Sequence, residues 1–149
     1  MYRTRLLQLI HQEALKSGYD FQNGFVYRIS RADLRFPALW MEPPVLTQIN
    51  GRKEGLITYH ITLHLLTSGK KSTETEKEQQ WEKLEKQVLL WIDNLISQPE
   101  IFSIDHLACA PAEFSLTNRS EISLKTEFDI CCAFPFENSL NPPDEDLNP

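Results

Sequence analysis

Four histidines and three cysteines are the residues of this 149-residue chain whose chemistry reaches beyond packing. His60 and His64 lie four apart in Ile57–Leu66, on the polar positions they share with Thr58 and Thr62. In a strand that spacing separates their side chains by about 13 Å, too far for both to bind one metal ion directly. A metal site built from one of them and His106 needs a third ligand, and Asp105 is the nearest candidate. The spacing favours a solvated or subunit-facing strand surface, which makes His60 and His64 candidate interface residues. His11 falls on the polar side of the first helix.

The thiols offer no nucleophile. Cys132 is in register with Ile130 and Phe134 and reads as a small buried hydrophobe, while Cys131 falls on the wet face and is the more reactive of the two. Cys109, Cys131 and Cys132 are an odd count without CxxC spacing, as expected of reduced thiols in a cytoplasmic protein. The chain has no Walker A loop, GxGxxG, GxSxG or HExxH. No residue is therefore assigned to catalysis, to a cofactor or to a metal, and the expectation is a non-enzymatic protein.

Recognition residues are better represented. Trp40 and Met41 lie in the proline-rich segment Phe36–Pro44, where a large aromatic either packs in the core or anchors a partner. Trp81 begins the apolar stripe of a long helix, where it either caps the core or meets a neighbouring subunit. Arg28, Arg31 and Arg35, with Arg52 and Lys53, read as a local basic patch or as ordinary surface charge.

The elements that must position these residues follow from periodicity. Leu6, Leu7, Ile10, Ala14 and Leu15 recur at three and four, predicting an N-terminal helix that Gly18 ends. Phe25, Tyr27 and Ile29 alternate and predict a short strand over Gly24–Ile29. Phe36–Pro44 reads as an edge strand, since proline lacks a ladder donor. Ile57, Tyr59, Ile61, Leu63 and Leu65 alternate with polar residues and define the clearest strand. Thr73 and Glu76 form a capping box opening a helix from about Glu74 to Ser97, which at about 1.5 Å per residue spans about 36 Å. Its stripe is Trp81, Leu84, Val88, Trp91, Ile92 and Leu95. Ile101–Leu107 and Phe114–Phe134 supply closing strands, with a hairpin turn predicted at Asn118-Arg119-Ser120. Strands not separated by regular crossover helices give an α+β fold: a largely antiparallel, possibly mixed, sheet packed with the N-terminal helix and the long central one.

Length and charge bound the rest. The size is that of one domain with a core of its own. The net charge of −6 argues against a broad nucleic-acid footprint, and no apolar run approaches the roughly 18–20 residues of a membrane helix. The basic Met1–Arg5 is followed by a stretch broken at Gln8 and His11–Glu13, which is unlike a signal peptide. Residues 137–149 hold Glu137, Asp144, Glu145 and Asp146, −4 of the total, and read as a disordered acidic, proline-rich tail. Residues 1–136 then form a single α+β domain of about −2, a nearly balanced surface.

The order of an N-terminal helix, the proline-bearing Phe36–Pro44, the strand Ile57–Leu66, the helix carrying Trp81–Ile96 and the closing strands through Phe134 resembles the tail-terminator and neck proteins of long-tailed bacteriophages. The resemblance covers residues 1 to about 136 and is one of element pattern. It implies a structural protein that self-associates into a ring, stops tail-tube growth and meets tail-tube or head-neck proteins during virion assembly. It brings no catalytic or cofactor residue, no membrane and no sequence-specific nucleic acid. A small adaptor or ligand-binding α+β domain is the alternative.

Overall fold

The computed structural model describes residues 2–50, 55–69 and 73–133. Helix α1 spans Tyr2–Lys16 and is followed by strand β1 (Asp20–Asn23), a 3-10 helix (Val26–Arg31), β2 (Ala38–Met41), β3 (Val45–Asn50) and β4 (Leu56–Thr67). Helix α2 (Glu74–Ile96), β5 (Ile101–Pro111) and β6 (Ile122–Ala133) complete the order. The fold is α+β, and its six-stranded sheet runs β1-β2-β4-β6-β5, with β3 also paired to β4. Every pairing is antiparallel except β1 with β2. No helix among the described residues is long and apolar enough to cross a membrane.

The alternation in β4 explains the layers. Ile57, Tyr59, Ile61, Leu63 and Leu65 turn to one face, where they meet Leu124, Phe128, Ile130 and Cys132 of β6. Both helices cover that face, α1 with Leu6, Leu9, Ile10 and Ala14 and α2 with Leu84, Val88, Trp91 and Leu95. Polar bonds fix the helices to each other. The Ser17 hydroxyl accepts from Trp91 Nε1 at 2.8 Å and Gln87 Nε2 at 3.1 Å, and buried Glu13 accepts from Asn94 Nδ2 at 2.9 Å. Gly18, at φ 79°, lets the chain leave α1 in the left-handed conformation, so that Tyr19 N–H donates back to Ala14 O. At the start of α2 the capping box is present in both directions, Glu76 N–H to Thr73 Oγ1 and Thr73 N–H to Glu76 Oε1. Thr73→Ala is expected to lower stability by about 1 kcal/mol, measured by urea unfolding.

Three expectations are corrected. The residues Gly24–Ile29 do not form a strand: the strand is Asp20–Asn23, and Val26–Arg31 is a 3-10 helix. Alternation alone cannot separate these outcomes, because Ile29 alone of the three apolar residues is buried, as one inward position of a short turn. The segment expected as an edge strand divides at Pro43-Pro44. Its first part, β2, lies inside the sheet between β1 and β4, and its continuation β3 pairs with the opposite half of β4. The last strand pair is antiparallel, but β5 ends at Pro111, and residues 112–121 form a longer connection in place of a turn at Asn118–Ser120. Phe134 and the acidic tail at 137–149 lie outside the described residues.

Candidate functional site

The face of the sheet away from the helices is divided between a small core and an open polar field. The core consists of Ile29, Leu34, Ala38, Trp40 and Leu66. Beyond it, ladder partners place His60 beside Asp129 and Thr62 beside Glu127 on the open field, while His64, beside Lys125, is buried next to the small core. His60 donates from Nδ1 to Asp129 Oδ1 at 2.8 Å and from Nε2 to Glu127 Oε1 at 2.9 Å. Ionised carboxylates only accept, so the two contacts together favour the doubly protonated ring. Its pKa is accordingly raised, by the Asp129 bond first and the Glu127 bond second, against a smaller opposing effect of burial. The two carboxyls are held below their usual range, each chiefly by His60. His106, turned by a φ of 60°, donates from Nδ1 to Asp129 Oδ2 at 2.9 Å.

His60 and His106 do converge, but on Asp129 and not on Asp105, which accepts from Ser103 Oγ. Among the described residues no three His, Cys, Asp or Glu side chains are arranged to hold a metal ion. A group whose folded pKa is raised stabilises the fold below its unfolded value, near 6.5, and that contribution is lost as pH rises through the folded value. The His60 proton NMR titration is expected to have its midpoint above 6.5, and Asp129→Asn to lower it. A midpoint unmoved by Asp129→Asn would exclude the assigned cause.

The other interface candidates are distributed differently. Trp40 is 3% exposed and donates from Nε1 to Gly24 O at 2.9 Å, and Met41 is fully buried in the main core. Neither offers a surface to a partner, because β2 is an interior strand with both faces covered. His64 is also buried and donates from Nε2 to Glu42 Oε2 at 2.6 Å. Trp81 is half-buried against the main core and donates from Nε1 to Ser123 O at 3.1 Å. The thiols are free; burial above all pushes Cys132 up to about 12 and also raises Cys109.

The exposed apolar surface lies on the two flanks of the sheet. On the first flank, β3 has a free edge without a charged residue, and Val45, Leu46 and Ile49 are exposed along it. Nearby, the 3-10 helix lifts Phe25 and Tyr27 off the surface as a stacked pair, ring centroids 6.4 Å apart, with Tyr27 70% exposed. Arg28 and Arg31 on the 3-10 helix and Arg35 just after it are also exposed. On the opposite flank, β5 is paired on one side only among the described residues, as β1 and β3 are; it is interrupted by bulges after Ile101 and Asp105, and Phe102 is 67% exposed there. No known protein family matches the chain, and no curated protein does. What the chain does must come from these surfaces and from the space inside it. Between the helices and the sheet, the cavity lined by Ile10, Leu63, Val88 and Phe128 measures about 10 Å³, about one water molecule. The wide cleft at Leu15, Tyr19, Asp33 and Phe36, about 700 Å³, is open and mostly polar.

Sequence reasoning missed β3, the aromatic knob and Glu121. For β3 the signal was present, since Val45, Thr47 and Ile49 are β-branched and Asn50-Gly51 is a hairpin dipeptide. The knob carried a misleading signal, its alternation being that of a strand. Glu121 stands in a loop, and nothing local marks it as the buried carboxylate that accepts from Ser115, Leu116 and Thr117. Of the expected basic patch, Arg28, Arg31 and Arg35 are exposed, while Arg52 and Lys53 lie outside the described residues.

Proposed function

We propose that this chain is a non-enzymatic assembly protein, a phage or prophage tail-terminator or head-tail joining component that forms a ring. The observation that carries the reading is the set of exposed apolar side chains on outer strands of opposite flanks, Val45, Leu46 and Ile49 on β3 and Phe102 on β5, each strand paired on one side only among the described residues. Two different surfaces on opposite sides favour head-to-tail association, which closes into a ring when the rotation between copies permits. The α+β class is compatible with the reading. The open face balances His60 and Lys125 against Glu127 and Asp129, a surface suited to lining a passage without gripping a polyanion.

The alternative is a small adaptor or ligand-binding domain that uses the exposed sheet face or a pocket between helix and sheet; the second of these has little space, about 10 Å³. Disruption of the gene in its parental phage tests the proposal. The expected result is tail tubes of uncontrolled length without attached heads; tails of normal length joined to heads would overturn it. Flanking capsid, portal or tail-tube genes would support the same reading, and a metabolic operon would contradict it.

A further inference from the structure

We infer that the contact between neighbouring copies is a knob in a groove: the 3-10 helix of one copy enters the groove under the first half of α2 on the next. This rests on the ring-forming reading and specifies its interface.

The knob is built to be presented. Ile29 and Leu34 bury themselves in the small core with Trp40, which frees Phe25, Val26 and Tyr27 to face outward. Gly24, at φ 150°, supports the base of the knob, since its carbonyl accepts the Trp40 Nε1 bond and a Cβ there would stand 3.4 Å from the Trp40 ring. Together the three outward side chains offer on the order of 300 Å² of apolar surface, the size at which an exposed patch marks an interaction site. Arg28, Arg31 and Arg35 make no ion pair with any described residue.

The groove complements it in shape and sign. Trp81 and Pro111 line it together with Glu78, Glu82 and Glu85, three carboxylates at helical spacing on one side of α2. Its volume is about 440 Å³, within the roughly 300–1,000 Å³ of pockets that take up ligands. Glu78 and Glu85 pair with no described cation, and Glu82 has only Lys86 at 3.7 Å. Arginines without a described ion-pair partner on one surface thus complement Glu78 and Glu85, likewise without a described cation, on the other, each set beside aromatic surface. The knob covers β2 on the open face, while the groove lies beside β5 on the helical face. One copy cannot satisfy both, so the contact is between different patches of successive copies. It also lies on the same two flanks as the outer strands β3 and β5.

Sedimentation velocity of the full chain over a concentration series tests this. Wild type is expected to assemble. Arg28→Glu with Arg31→Glu, Glu78→Lys with Glu85→Lys, and Tyr27→Ala are each expected to raise the half-assembly concentration about tenfold or more. The variant combining all four charge reversals is expected to assemble again, a rescue that a merely misfolded knob or helix would not show. Wild-type assembly unaffected by the reversals, or weakened by them without rescue, overturns the knob contact and leaves the ring reading standing. A wild type monomeric at every concentration overturns both.

Discussion

Trp40→Ala is expected to lower the unfolding free energy by about 3–5 kcal/mol, the cost of replacing a buried large aromatic by alanine. Trp40 is the largest member of the small core, and its removal leaves Ile29, Leu34, Ala38 and Leu66 around a void. It also orphans the Gly24 carbonyl, which ties the knob to β2. Two measurements separate these consequences. Urea unfolding reads the global loss, and amide exchange is expected to quicken first in Phe25–Arg31, where anchorage depends on this one core. Trp40→Phe restores part of the volume but not the bond and is expected to fall between the two. A Trp40→Ala protein as stable as wild type would mean that the small core does not hold the knob.

The second large effect is at Glu121. This carboxylate is 8% exposed and accepts from Ser115 Oγ at 2.7 Å, Leu116 N–H at 2.6 Å, Thr117 N–H at 3.3 Å and Thr117 Oγ1 at 2.5 Å. Burial pushes its pKa up, but the bonds from Thr117, Ser115 and Leu116 outweigh it and hold the group below its ordinary 4.5. Glu121→Ala leaves two backbone N–H groups and a hydroxyl without an acceptor, at an expected cost of about 3 kcal/mol. A carboxyl with a depressed folded pKa adds stability above its unfolded value, and that contribution is lost as pH falls through the folded value. Wild-type stability is therefore expected to decline below pH 4.5, and Glu121→Gln to be less stable at neutral pH but flatter in that acid window. Urea midpoints across the range check both. Leu116, in the same loop, packs against the small core, so the loss is expected to spread toward the knob.

The contrast between Trp40 and β4 shows what was legible in the residues. The β4 pattern holds from Ile57 to Leu63, where one face is covered and imposes period two, and lapses at His64 and Leu66, which are covered from the other side beside the small core. The Thr73 and Glu76 cap is equally local, and the α+β class follows from the order of such elements. Trp40 could not be placed in that way. Whether β2 lies at an edge or inside depends on β1, four residues long and eighteen positions earlier, closing over it in parallel register. The convergence of His60 and His106 on Asp129 required the pairing of three strands, including a bulge in β5 that no local pattern announces. Glu121 belongs to the same class, because its donors are gathered by a loop whose shape the carboxylate itself fixes.

The outer strands β3 and β5 differ in one further respect. Strand β5 is interrupted twice and ends in Pro111, which makes it a poor template for indiscriminate strand addition. Strand β3 has only one irregularity, between Leu46 and Gln48, and no charge or proline to discourage pairing. One side of the molecule is thus guarded and the other receptive. On the proposed head-to-tail assembly, growth acquires a direction, and aggregation at high concentration is expected first along Val45, Leu46 and Ile49.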